Sequence, residues 1–197
     1  MPPIGVLALQ GGFIEHGRML ERLGVPTREV RQPSDLAAVS ALIIPGGEST
    51  TIGKLLVRTE LDRAIRARAA TGMAVWGTCA GLILLARDAG PSDRHPGEPR
   101  PLLGLMDLRV RRNAFGTQLD SFETTLIVPA VAERAIPAVF IRAPVIEQAG
   151  PAVEVLARLA DGRPVAARQG RLLATAFHPE LTDDISFHRY FVEVVAA

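Results

Sequence analysis

Met73-Ala74-Val75-Trp76-Gly77-Thr78-Cys79-Ala80-Gly81-Leu82-Ile83-Leu84-Leu85-Ala86 is the stretch that decides the fold. It sets the only cysteine of the chain between an apolar run of strand length and an apolar run of helical character. A glycine two before and a glycine two after a nucleophilic residue type reads as a G-x-nucleophile-x-G elbow with cysteine in place of serine. Such an elbow makes a sharp strand-to-helix turn with strained backbone, so Gly77 and Gly81 relieve the crowding that side chains would cause.

Outward from the elbow, the pattern alternates. Ile4–Leu9 reads as a buried strand, Phe13–Leu23 as a helix closed by Gly24, Val25–Val30 as a strand, and Ser34-Asp35 as the cap of a short helix. Ala41–Ile44 is a further strand, and it runs into Pro45-Gly46-Gly47-Glu48-Ser49-Thr50. Helices over about 50–57 and 61–70 lead to the strand before Cys79. Strands alternating with helices imply a parallel sheet. Residues 88–101, rich in Gly, Pro and charge, read as a surface loop. Later strands are expected at 107–111, 123–128, 138–141, 153–159, 164–167 and 172–177, with a hairpin turn at 169–171 and a closing amphipathic helix over 185–195. The expectation is one α/β domain, residues 1–197. It is a flavodoxin-like three-layer sandwich with a mostly parallel central sheet, the cysteine elbow and a β-rich C-terminal half.

Bulk properties narrow the function. Lys and Arg total 22 against 21 Asp and Glu, a net charge of +1 without like-charged blocks, which argues against nucleic acid as a partner. No apolar run approaches the roughly 18 residues needed to cross a bilayer, so no membrane association is expected. One cysteine makes no intrachain disulfide, and the first residues lack the pattern of a signal peptide. Both point to the cytoplasm. No Cys/His cluster has metal-ligand spacing, so no metal is expected, and no cofactor is expected either.

A lone cysteine is ordinarily a small buried hydrophobe. At the first turn of a helix, however, its sulfur faces orphan N–H groups and the positive end of the helix dipole, which suits a thiolate nucleophile. Such a nucleophile needs a histidine and a group to orient it. Of four histidines, His95 lies in the polar loop, and His16 and His188 lie on helices, where a solvated or satisfied side chain is the usual role. His178 follows a strand, where α/β folds place their sites, and Pro179 stiffens the turn carrying Glu180. The alternation in His178-Pro179-Glu180 is expected to leave imidazole and carboxylate adjacent. Pro45-Gly46-Gly47 suits either a phosphate cradle or an oxyanion hole. Neither nucleotide-binding glycine motif is present, and Lys54 is misplaced for a P-loop. An oxyanion hole from the N–H groups of Gly47 and Ala80 therefore fits better.

These three elements together resemble the class I, triad-type glutamine amidotransferases. The resemblance extends along the chain: Gly5–Gly11 with Glu15-His16, Pro45–Thr50, Gly77–Ile83, Arg112-Asn113-Ala114-Phe115-Gly116, Ser121-Phe122-Glu123, Phe140–Pro144 and Phe177–Leu181. Within that class the set is similar to the glutaminase subunits of pyridoxal 5'-phosphate synthases. The resemblance implies Cys79 as nucleophile, His178 as general base and acid, and Glu180 as its orienter. It implies L-glutamine bound through Gly47, Glu48, Ser49, Arg112, Ile141 and Arg142. It also implies a synthase subunit as activating partner, with Gln10, Glu15 and His16 near the contact. That partner takes up the ammonia to make pyridoxal 5'-phosphate. Thr117 departs from the family pattern, which usually has arginine there. Open alternatives are another class I amidotransferase subunit, a non-hydrolytic cysteine redox or stress protein of similar fold, and a structural binding subunit.

Overall fold

The computed structural model describes residues 2–90, 101–112 and 121–197. Most of the 88–101 loop, Thr117 and the segment Asn113–Gly116 lie outside the described residues. In chain order the elements are β1 (Ile4–Leu7), α1 (Phe13–Arg22), β2 (Thr27–Val30), α2 (Pro33–Ala37), β3 (Ala41–Ile44), α3 (Ser49–Arg58), α4 (Leu61–Ala70), β4 (Ala74–Thr78) and α5 (Ala80–Leu85). Then come β5 (Ala86–Asp88), β6 (Met106–Arg111), β7 (Ser121–Leu126), β8 (Ile136–Ile141), β9 (Val145–Ala149), β10 (Glu154–Arg158), β11 (Pro164–Gln169), β12 (Leu172–Thr175) and α6 (Ser186–Tyr190).

The main sheet runs β10-β11-β12-β4-β3-β1-β2. Its parallel part, β2-β1-β3-β4-β12, has the flavodoxin-like strand order 2-1-3-4-5. β1, β3 and β4 are buried along their whole length, as strands covered on both faces must be, which explains their largely apolar composition. β2 is the edge, and its exposed Arg28 and Glu29 blunt that edge against pairing with another chain. β11 and β12 form the expected hairpin, Gly170 adopting φ 58° in the turn.

β6, β7 and β8 alternate buried and less buried positions because they build smaller sheets, β5-β6-β9 and β7-β8, that are covered on one side only. These account for the β-rich second half. The strands β5 and β9 were not anticipated: three residues and a sequence with only two leading apolar positions carry too little pattern to read. Two local expectations change. Asp35 caps α2 from inside the helix, its carboxylate accepting from the N–H groups of Arg31 and Gln32, so Gln32 is the cap position. The C-terminal helix is α6 continued by a wider π-type turn over Phe191–Val195.

The core is most aromatic where α1 and α6 meet the sheet. Trp76 is fully enclosed, its ring near Phe187, Phe191, His16 and His188, and its Nε1–H donates to Thr175 Oγ1 at 3.2 Å. The central strands end in line, so the segments leaving β1, β3, β4 and β12 converge at one edge of the sheet. In this strand order, the switch between β1 and β3 is where ligands bind.

Candidate active site

Cys79 joins β4 to α5 with φ 49° and ψ −100°, left-handed backbone that a non-glycine residue rarely adopts. A Cβ on Gly77 would strike the backbone of Gly81 and Leu82, and one on Gly81 would strike the Ile44 carbonyl. Both glycines of the motif are therefore demanded by the close approach of α5 to β4 and β3. The cysteine is 7% exposed, and its Sγ lies 3.9 Å from the carbonyl oxygen of Ile141.

β12 ends at Thr175, and three residues later the His178 N–H donates to the Val139 carbonyl at 2.8 Å, which fastens this segment to β8. The chain then makes a 3₁₀ turn over Pro179–Leu181. This turn, and not an extended alternation, folds Glu180 back so that its Oε1 lies 2.7 Å from His178 Nδ1. Burial pulls the His178 pKa down, but hydrogen bonds to Cys79 and Glu180, and their charges, push it up to about 10. Glu180 is held below the usual carboxylate range: burial works against its charge, and His16 and His178 outweigh that.

The glycine turn lies beneath the histidine. A Cβ on Gly46 would overlap the His178 ring at Cε1 and lie 3.3 Å from Cys79 Cβ. Gly46 thus has a role the sequence reading did not assign; the one available signal was its place beside Gly47. The turn is held from the β1 side: Gly12 N–H donates to the Gly46 carbonyl at 3.2 Å, and Glu48 N–H donates to Gln10 Oε1 at 2.9 Å. Gly47 is exposed, and Ala80, immediately after the cysteine, begins α5.

Glu48 caps α3, its carboxylate accepting from Thr50 N–H at 3.2 Å and from the N–H and hydroxyl of Thr51 at 2.6 and 2.7 Å. Arg112 Nη2 donates to Glu48 Oε1 at 3.2 Å. Burial raises the Glu48 pKa, but those donors and the guanidinium hold it at about 2. Ser49 is buried at the start of α3. Arg142 is exposed with φ 45°, directly after Ile141 at the end of β8. The structure therefore brings Glu48 to Arg112, and Ile141 to the thiol.

His16 departs from expectation. It is fully buried, so its ring cannot reach a partner protein. Its Nε2 lies 3.1 Å from Thr78 Oγ1 and 3.4 Å from Glu180 Oε2, and its Nδ1 lies 2.8 Å from Nε2 of His188, also fully buried. Burial lowers the pKa of both rings, that of His188 strongly. The missed signal was spacing: position 16 precedes Met19, Leu20 and Leu23 by three, four and seven residues, which puts it on the apolar stripe of α1. Gln10 and Glu15 are half-buried.

The fold is thus an α/β protein of flavodoxin-like strand order, with a strained cysteine elbow after β4 and a His–Glu pair after the adjacent parallel strand β12. The chain belongs to the SNO glutamine amidotransferase family, whose model matches residues 6–197. It is 62% identical over 189 residues to the pyridoxal 5'-phosphate synthase subunit PdxT of Herpetosiphon aurantiacus, covering 96% of this chain and 98% of that protein. It is 58% identical over 194 residues to the protein of the same name from Parafrankia sp., covering 98% and 93%. A crystal structure described as a glutamine amidotransferase superposes with a TM-score of 0.90 at 49% identity, covering 98% of this chain and 99% of that one.

Proposed function

We propose that the chain is a single glutaminase domain, residues 1–197, acting in the cytoplasm. It hydrolyses L-glutamine to L-glutamate and ammonia, and passes the ammonia to a synthase subunit that makes pyridoxal 5'-phosphate. The observation that carries this reading is the meeting of Cys79, His178 and Glu180 at the carboxyl ends of β4 and β12. Kinship with the two synthase subunits supports the choice of product and partner.

In this mechanism the Cys79 thiolate attacks Cδ of glutamine, and the carbonyl electrons move onto oxygen. N–H groups of Ala80 and Gly47 stabilise that oxyanion. As the tetrahedral species collapses, the C–N bond breaks and the His178 imidazolium gives its proton to the departing nitrogen, releasing ammonia and a γ-glutamyl thioester. Neutral His178 then takes a proton from water. The resulting hydroxide attacks the thioester, and glutamate leaves with the thiolate restored. Glu180 keeps the imidazole oriented and stabilises its charged form. Arg112 and Arg142 serve the substrate α-carboxylate and Glu48 its ammonium. The backbone of Gly47, Ser49 and Ile141 lines the remaining side of the site. Gln10 and Glu15, on the β1 side, lie toward the synthase contact.

The test is glutamate release with and without the synthase subunit. Stimulation by the synthase is expected, with Cys79→Ala reducing turnover by about 10³-fold or more. A Cys79→Ala protein that kept its activity would sink the reading.

A further inference from the structure

We infer that His16 is a positioning residue for Glu180: held by His188 as the neutral Nε2–H tautomer, it supplies the N–H that fixes the second carboxylate oxygen and keeps the first on His178. This rests on the reading of Cys79, His178 and Glu180 as the reacting groups.

Glu180 uses Oε1 for His178, while Oε2 is buried and takes no hydrogen bond of ordinary geometry among the described residues. A buried carboxylate oxygen requires a donor. The nitrogen facing it is His16 Nε2 at 3.4 Å, with Thr78 Oγ1 beside that nitrogen at 3.1 Å. One N–H directed between these two oxygens serves both.

The tautomers follow from counting hydrogens. His16 Nδ1 and His188 Nε2, 2.8 Å apart, share a single hydrogen. If His16 Nδ1 carried it, His16 Nε2 would turn a lone pair toward a carboxylate lone pair. His188 Nδ1, buried without a hydrogen-bond partner, would also have to be an unpaired N–H. If His188 Nε2 carries it, both conflicts vanish. His188 Nε2–H then donates to His16 Nδ1, His16 Nε2–H points at Glu180, and the idle nitrogen of His188 is a bare lone pair.

Neutrality matters as much as the tautomer. A cationic His16 would draw the Glu180 charge toward itself and away from His178. Glu180 and His178 from the 3₁₀ turn side and Glu15 from α1 act on His16, and His16 and Arg22 from α1 act on His188. Enclosure beside Trp76 disfavours the charged form of both rings. α1 and α6 thus contribute to the reacting pair without touching substrate.

The experiment compares His16→Leu with His16→Gln, and His188→Leu with His188→Gln, in the glutaminase–synthase complex. It is joined by ¹⁵N NMR of the histidine rings in the parent glutaminase chain. His16→Leu is expected to lose about 10- to 100-fold in kcat, with KM for glutamine within about twofold of the parent. The pH profile of Cys79 alkylation by iodoacetamide should move its His178-dependent inflection about one unit downward. His16→Gln, which restores a donor, should bring both readouts most of the way back, and the His188 pair should repeat the pattern more weakly. NMR should find His16 protonated at Nε2 and bare at Nδ1. A His16 protonated at Nδ1, a folded His16→Leu with unchanged kcat and alkylation profile, or a His16→Gln as impaired as His16→Leu each overturns the inference. If His16→Leu fails to fold, the NMR tautomer and the His188 pair decide. Activity surviving in Cys79→Ala would instead defeat the glutaminase reading, leaving the tautomer measurement to judge His16 separately.

Discussion

Glu180 Oε1 lies 2.7 Å from Nδ1 of His178, two residues earlier in the chain, and a single 3₁₀ turn makes this contact. Glu180→Gln keeps the shape but removes the charge. The expected loss is about 10²- to 10⁴-fold in kcat, by analogy with orienting carboxylates elsewhere. Because the His178 pKa is raised to about 10, its contribution to stability is whole below its ordinary value of 6.5 and fades as pH rises through 10. Thermal unfolding measured from pH 6.5 to 10 should therefore decline less steeply in Glu180→Gln than in the parent.

The two buried histidines work in the opposite direction. Their pKa values in the folded chain are lowered, so below pH 6.5 the unfolded chain binds protons that the folded one refuses. Stability should fall on acidification by up to about 1.4 kcal/mol per pH unit for each ring. Denaturant unfolding at pH 5 and pH 7 checks this, and a His16→Gln/His188→Gln double variant should lose the dependence.

Gly46 leaves no room for a methyl group beneath the His178 ring. Gly46→Ala is expected to displace the imidazole and lower kcat on the order of 10²-fold. The alanine variant should retain its circular dichroism spectrum, since the clash is with a side chain at the surface of the site.

Arg112 pairs with Glu48, the cap of α3, through Nη2. Arg112→Ala should raise KM for glutamine by about 10-fold or more with a smaller effect on kcat. Arg112→Lys should recover only part of this, because a point charge does not replace the planar fork. Steady-state kinetics over a range of glutamine concentrations separates the two constants.

Much of this protein was legible along the chain. β1, β3 and β4 are short and almost wholly apolar, Thr78 at the end of β4 being the exception, because they are buried on both faces of a parallel sheet, so composition announces them. The elbow is readable in part for a local reason: Gly77 is crowded by Gly81 and Leu82, within five residues, whereas the crowding at Gly81 comes from Ile44 on β3. β5 and β9 were not legible, since their pairing with β6 depends on partners far away in the chain.

What the sequence by itself determined is therefore largely local: the alternation that builds the parallel sheet, the cysteine elbow, and the pairing of a histidine with a carboxylate two residues on. What only the tertiary structure decided is which distant groups meet. Position 16 carries a polar residue on an apolar stripe, and 172 residues separate it from His188, the ring that meets its Nδ1 at 2.8 Å. Gly46 is one of two adjacent glycines until His178 is seen above it. Backbone sterics and burial act between neighbours and leave a pattern in the chain. A hydrogen bond between remote side chains leaves none until the sheet brings their strands and helices together.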